Sequence, residues 1–197
     1  MNVTGVIQAG GRSTRMGGSP KALLDLGGRR IIERVVDAVG AVLSDLVLVT
    51  NTPDIYAFLG LPMVCDVHPG AGSLGGIYSG LRAAGGAAAF TVACDMPFLH
   101  PDVVRLLVDR AAEGDVVVPR VGDQPQTLHA VYGKRCLPAM EARIAAGRLQ
   151  ITGFFPDVRV VEVPETQIAP VADPAIVFMN VNTPEDLARA RALAAEH

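Results

Sequence analysis

The 197-residue chain is poor in cysteine and carries no excess of positive charge. Cys65, Cys94 and Cys136 stand apart, with none of the paired spacing of a thiolate metal centre or a disulfide framework. Cys65 and Cys94 lie inside apolar, strand-like runs where a free thiol acts as a small hydrophobe, which is the expectation for a reduced, cytoplasmic protein. Lysine and arginine number 17 against 20 acidic residues, a net charge of -3, and no basic cluster is large enough to follow a nucleic-acid backbone. Nucleic acid is therefore not expected as a partner. No apolar run has the length of a bilayer span and no basic segment leads into an apolar core, so neither a membrane nor a secretory leader is expected. Half of the residues are hydrophobic, enough for one substantial core, and the reading is a single domain over residues 1–197.

What the chain does have is a concentration of glycine and cations close to its start. Gln8-Ala9-Gly10-Gly11-Arg12-Ser13-Thr14-Arg15-Met16-Gly17-Gly18-Ser19-Pro20-Lys21 follows the apolar run Val3 to Ile7. Glycines let a backbone approach a ligand closely, successive amides form an anion-binding nest, and Arg15 and Lys21 add full charges to it. Such a loop suits a nucleoside triphosphate. It lacks the Gly-Lys-Ser/Thr of a Walker A loop and is not G-x-G-x-x-G.

Short runs rich in Val, Ile and Leu alternate with amphipathic stretches, the pattern of successive βαβ units. Strands are expected at Val3 to Gln8, Leu46 to Thr50, Pro62 to Asp66, Ala89 to Cys94, Asp115 to Pro119 and Val177 to Asn180. Helices are expected around Ile31 to Val39, where apolar residues recur at i, i+3 and i+4, and at Pro101 to Ala112, Lys134 to Ala146 and Pro184 to Ala194. Thr183 before Pro184, with Asp186 in the first turn, reads as an N-cap. The fold class that follows is α/β, a three-layer αβα sandwich around a mostly parallel, Rossmann-like sheet. Ligands of such sheets bind beyond the carboxyl ends of the strands, so Asn51, Asp66, Asp95, Asn180, Asn182 and the glycine loop are expected along one edge.

Asp95 ends a strand and is followed by Met96-Pro97, which turns the chain and fixes the carboxylate near that edge. Mg²⁺ takes oxygen ligands, commonly one or two carboxylates plus phosphate oxygens, and Asp95 is the expected ligand. Asp66 is either a second carboxylate near the metal or a ribose or substrate contact. For both residues the alternative is an Asx-turn or a helix cap. Gly70-Ala71-Gly72-Ser73-Leu74-Gly75 matches the dinucleotide fingerprint and has Asp95 about twenty residues on. His68-Pro69 nevertheless separate it from the preceding strand, and an NAD reading leaves the Arg15 and Lys21 loop without a task. Gly70 to Gly76 reads instead as a flexible loop closely approaching a base or a second substrate. His68, His100, His129 and His197 share no spacing and read as surface or loop residues, while Leu187 and Leu193 read as core.

Gln8-Ala9-Gly10-Gly11, Arg15-Met16-Gly17-Gly18, Lys21, Asp66, Asp95-Met96-Pro97 and Asn180-Val181-Asn182-Thr183-Pro184-Glu185-Asp186 together resemble the molybdenum cofactor guanylyltransferase family, across nearly the whole chain. The resemblance implies a nucleotide-diphospho-sugar transferase type of α/β fold and transfer of GMP from GTP to the phosphate of molybdenum-bound molybdopterin, with Mg²⁺ and release of pyrophosphate. It gives Gln8, Ala9, Gly10 and Gly11 to GTP, with the base and ribose at Gln8 to Gly10. Arg15 and Lys21 fall on the triphosphate, Asn51 and Asp66 on GTP, Asp95 on the metal, and Asn180 and Asn182 on the pterin. Lys21, Arg15 and Asp95 would carry the catalysis. The implied partners are GTP, molybdenum-molybdopterin, and acceptor molybdoenzymes or other proteins of the cofactor pathway. Two positions depart from the family pattern: Gln8 replaces the usual Leu, which adds an amide near the base site, and Thr127 stands where proline is common. The rival within the class is the cytidylyltransferase of the same cofactor, which more often has Leu-Ala-Ala-Gly and Asp-x-Asp; a sugar-1-phosphate nucleotidyltransferase would usually need a longer chain. A non-catalytic nucleotide or cofactor carrier is the alternative from another class.

Overall fold

Every strand among the described residues joins one sheet, and that sheet carries the expected edge. The computed structural model describes residues 1–10 and 20–195. The strands are β1 (Val3–Gln8), β2 (Leu46–Val49), β3 (Met63–Val64), β4 (Ala88–Ala93), β5 (Val116–Val121), β6 (Gln124–Pro125), β7 (His129–Gly133) and β8 (Val160–Pro164). The helices are α1 (Ile31–Gly40), α2 (Gly72–Ala83), α3 (Pro101–Asp109), α4 (Leu137–Ala145), α5 (Glu165–Ile168), α6 (Pro174–Val177) and α7 (Pro184–Ala195). The hydrogen-bonded order is β3-β2-β1-β4-β7-β5-β6, with β8 also paired to β5. β1, β2, β3 and β4 run parallel, and so do β5 and β8. β7 runs against both β4 and β5.

The two faces of β1 show how the sequence builds the layers. All six of its residues are buried, with Ile7 on one face and Val6 on the other, as expected of a strand covered on both sides. On the first face Ile32, Val35 and Val39 of α1 and Val103, Val104 and Leu107 of α3 pack with Ile7, Leu48, Phe90 and Val131. On the second face Leu74, Ile77, Tyr78 and Leu81 of α2 and Met140 of α4 pack with Val6, Val49, Val116 and Tyr132. Each large side chain so enclosed contributes about 1.5–3 kcal/mol over leaving it exposed. A third apolar group, Leu26, Ile31, Met179, Val181, Leu187 and Ala190, seats α7 on the start of α1 and the residues that lead into it.

Several expectations need correction. Val177 to Asn180 is not a strand: Asp173 caps the short helix α6, and Phe178, Met179 and Val181 are buried beneath neighbouring elements without joining the sheet. An apolar run signals burial, and burial does not require strand pairing. Gly70 to Gly76 is not a flexible loop throughout, because α2 begins at Gly72. The expected strand Pro62 to Asp66 forms ladder pairs only at Met63 and Val64. β6, β7 and β8 were not expected, and β7 makes the sheet mixed where the alternation suggested parallel strands.

Candidate active site

Because β3, β2, β1 and β4 are adjacent and parallel, their carboxyl ends form a row, and neighbouring strands lie roughly 4.8 Å apart. The chain turns from β1 toward β2 and β3, then crosses back to place β4 on the other side of β1. The boundary between β1 and β4 is therefore the switch point at which a crevice opens. Gln8 and Ala9 stand on one side of it and Asp95 on the other, with the Cys94 amide bonded to the Gln8 carbonyl at 3.0 Å.

On the β4 side three distant parts of the chain meet. Lys21 opens a short 3-10 turn, Lys21–Leu23, behind Pro20, and its ammonium donates to Asn182 Oδ1 at 2.8 Å. The Val181 amide donates to the Asp95 carbonyl at 2.9 Å, which ties the segment before α7 to the end of β4. Burial raises the pKa of the Asp95 carboxyl, and the charge of nearby Lys21 works against that rise. Asp95 is thus a desolvated carboxylate with a cation beside it. Behind it, burial and the Asp95 charge push the Cys94 thiol up to about 12, so it stays protonated and serves as packing. Asn182 is held by the start of α7: Asp186 accepts the amides of Asn182 and Thr183 at 2.9 and 2.8 Å, and the Thr183 hydroxyl accepts the Asp186 amide at 3.1 Å. Asn180 is exposed just before it.

On the β2 and β3 side Asn51 Oδ1 accepts the Asp66 amide at 2.9 Å. The Ser79 hydroxyl lies 2.8 Å from the Asp66 carboxylate and 2.7 Å from the Gly75 carbonyl, its one proton shared between these two acceptors, and Ser79 Oγ in turn accepts the Val67 amide at 2.9 Å. Asp66 is thereby fixed from α2. Ser79 escaped the sequence reading because a serine inside a helix carries no signal of its own. The glycines of α2 did carry one, at Gly76 and Gly80. A Cβ at position 80 would overlap Val6 and one at position 76 would overlap the Gln8 carboxamide, so this spacing lets α2 lie directly on β1.

The structure therefore groups Lys21, Asp95 and Asn182 around the end of β4, pairs Asn51 with Asp66, and sets Gln8, Ala9 and Gly10 between the two groups. Gly11 and Arg15 lie outside the described residues. Among the described residues no three His, Cys, Asp or Glu side chains form a metal cage. His129 overturns its surface assignment: it opens β7, is fully buried, and sits edge-on to Phe90 and Phe178. His100 caps α3, its Nδ1 accepting the Asp102 amide at 3.3 Å, and His197 lies outside the described residues. No helix among the described residues is long and apolar enough to cross a membrane.

Comparison with known proteins places the chain in a family. Residues 5–154 match the family model of the MobA-like NTP transferase domain. The chain is 41% identical over 194 residues to a protein of Pelotomaculum thermopropionicum described as a probable molybdenum cofactor guanylyltransferase, covering 98% of this chain and 94% of that one. A molybdenum cofactor guanylyltransferase of Desulfosudis oleivorans is 40% identical, with 96% and 95% covered. Among solved structures, the molybdopterin-guanine dinucleotide biosynthesis protein A of Archaeoglobus fulgidus superposes with a TM-score of 0.86 at 27% identity, covering 99% of this chain and all of that one. A 2-C-methyl-D-erythritol 4-phosphate cytidylyltransferase of Thermus thermophilus shares the fold, with a TM-score of 0.71 at 20% identity. The chain belongs to the MobA-like NTP transferase family, among the molybdenum cofactor guanylyltransferases.

Proposed function

We propose that the protein transfers GMP from GTP to the phosphate of molybdenum-bound molybdopterin, releasing pyrophosphate. The observation that carries this reading is the Lys21 ammonium between Asp95 and Asn182, which unites the glycine-rich loop, the end of β4 and the segment before α7. GTP would lie along the row from Asp66 to Asp95, with base and ribose at Gln8, Ala9, Gly10, Asn51 and Asp66 and the triphosphate at Gly11, Arg15 and Lys21. The pterin would approach from the C-terminal side against Asn180 and Asn182.

The acceptor is a phosphate monoester with a second pKa near 6, so it is already largely dianionic at neutral pH and its attacking oxygen needs no base. Catalysis then consists of alignment and charge stabilisation. Lys21 is held by Asn182 on the acceptor side, and there it would offset charge on the α-phosphate as the new bond forms and the old one breaks. Asn182 is itself fixed by Asp186 and Thr183, so the ammonium is positioned before substrate arrives. The Asp95 carboxylate suits Mg²⁺: it is desolvated, Lys21 is the cation beside it among the described residues, and a site of one carboxylate completed by substrate phosphates is ordinary for this ion. When bound, Mg²⁺ supplies charge neutralisation of the phosphates and of departing pyrophosphate.

Pyrophosphate release measured with GTP, CTP and ATP in the presence of molybdenum cofactor tests the reading. Turnover with GTP is expected. Preference for CTP would instead indicate the cytidylyltransferase, and binding without turnover a carrier.

A further inference from the structure

A cavity of about 540 Å³ lies between α1, α6, the last turn of α7 and the segment that joins β4 to α3, and the proposed reaction makes no use of it. Its size is that of an ordinary small-molecule pocket. Leu99 and Val177 give it buried apolar walls, and Phe98, Ile176 and Leu193 add half-buried ones. Three polar side chains interrupt this lining: Arg34, His100 and Asp173. Arg34 is a positioned cation whose charge is not cancelled. Its Nε and Nη2 both donate to the Leu26 carbonyl, at 3.1 and 2.8 Å, and among the described residues it forms no ion pair. A Cβ added at Gly27 would stand 3.1 Å from Arg34 Nη2 and 3.9 Å from the Ala194 Cβ, so the guanidinium is seated where the residues before α1 meet α7. A neutral carbonyl occupies only part of a group that carries five N–H donors and a full charge. Asp173 is committed to its own backbone, Oδ1 accepting the Ala175 amide at 2.9 Å. His100 Nδ1 accepts the Asp102 amide at 3.3 Å, which leaves the proton of the neutral ring on Nε2 as a further donor.

We propose that this cavity is a second ligand site, separate from the nucleotide cleft, which takes a small organic carboxylate, the carboxylate on Arg34 and the apolar body against Phe98, Ile176 and Leu193. An inorganic anion would leave the apolar walls uncovered, and a hydrocarbon would leave the guanidinium charge unanswered. A carboxylate on an apolar body satisfies both, and the planar guanidinium matches its two oxygens. The walls continue into the catalytic edge. Pro97 follows Asp95 by two residues, Val177 precedes Asn180 by three, and Arg34 holds a carbonyl in the stretch that begins at Lys21. A ligand here ties together the roots of those three segments, and its binding does not depend on which nucleotide the cleft accepts.

Ligand-observed NMR and thermal unfolding of the whole chain with phenylacetate, octanoate and indole-3-acetate, each compared with its primary amide, test the site. At least one acid is expected to bind saturably, with its amide weaker by about tenfold or more, the cost of losing a charge-assisted hydrogen bond. The unfolding midpoint should rise with the concentration of that acid, as it does for any ligand of the native state alone. Binding should persist in the presence of α,β-methylene GTP. Arg34→Met removes the charge and the hold on Leu26 together, so Ile176→Trp, which fills the cavity and leaves the guanidinium in place, is the second variant. Both should weaken the acid by about tenfold or more, and Ile176→Trp should bind α,β-methylene GTP as the wild type does. Failure of all three acids to bind saturably, equal binding of acid and amide, displacement by α,β-methylene GTP, or undiminished binding by folded Ile176→Trp would each overturn the proposal. So would a concentration-dependent sedimentation coefficient that Ile176→Trp abolishes, since the cavity would then be a contact between two copies of the chain.

Discussion

Lys21 is the residue on which the proposed chemistry turns, since its ammonium contacts the C-terminal segment and lies near the Asp95 carboxylate at the end of β4. Lys21→Ala and Asp95→Ala should each abolish pyrophosphate release while circular dichroism and thermal unfolding remain those of the folded protein; wild-type turnover by a folded Lys21→Ala protein would sink the assignment. Removing one preorganised charge of this kind commonly costs about 10²- to 10³-fold in turnover. Ser79 acts at one remove, through the Asp66 carboxylate that it holds. Ser79→Ala should raise KM for GTP by about tenfold with kcat little changed, because a single hydrogen bond to a charged group is lost and the transferring phosphate is not touched. A steady-state comparison of the two constants decides it, and an equal loss in kcat would place Ser79 nearer the chemistry.

At the scale of elements, glycine-to-alanine changes in α1 and α2 should have opposite signs. Alanine is the better helix former by about 1 kcal/mol. At Gly80 that gain meets an overlap with Val6 and a contact at 3.1 Å with Val49, both β-branched and rooted in central strands, and overpacking there costs about 1–3 kcal/mol. Gly80→Ala should therefore lower the urea midpoint. At Gly40, the last residue of α1, a Cβ would meet only Leu46 at 3.7 Å, an ordinary contact, and Gly40→Ala should raise the midpoint or leave it unchanged. Two denaturation curves suffice, and a stabilising Gly80→Ala would contradict the close seating of α2 on β1. That seating matters for function, since α2 carries Ser79 and also meets Gln8.

For the molecule as a whole, His129 makes stability depend on pH. Its imidazole is enclosed by the sheet and by Phe90 and Phe178, neither ring nitrogen has a hydrogen-bond partner among the described residues, and burial pushes its pKa from 6.5 down to about 3. Above pH 6.5 neither the folded nor the unfolded chain is protonated at this site, and its contribution is fully present. Below 6.5 the unfolded chain takes up a proton that the folded chain refuses, so stability falls with pH until the folded-state value is reached. Between pH 6.5 and pH 5 the loss amounts to about 2 kcal/mol. His129→Leu, which leaves no polar atom to bury, should flatten the dependence of the urea midpoint over that interval; an unchanged slope would show that other groups set it.

Much of the edge was legible before the fold. β1 coincides with its expected limits because it is a short, mostly apolar segment followed by a glycine pair, and Asp95 stands just past the end of β4, before Met96-Pro97. The start of α7 was readable from Thr183, Pro184 and Asp186, whose capping geometry the structure reproduces. The failures share a cause. Val177 to Asn180, β7, β8 and His129 all depend on what lies above or beside a segment, and a local pattern reports hydrophobicity without naming the neighbour.

The sequence alone determined the chemistry available to this protein, a glycine and cation loop, strand-end carboxylates and a capped asparagine segment, because residue type and local turn geometry are written in adjacent positions. Only the tertiary structure decided that Lys21 meets Asn182 across 161 positions of chain, that Asp66 answers to Ser79, and that the Gln8 amide keeps an unanswered donor. Those facts depend on long-range packing, in which α7 folds back onto α1 and the glycines of α2 let a helix rest on a strand. No short stretch of sequence carries such distances.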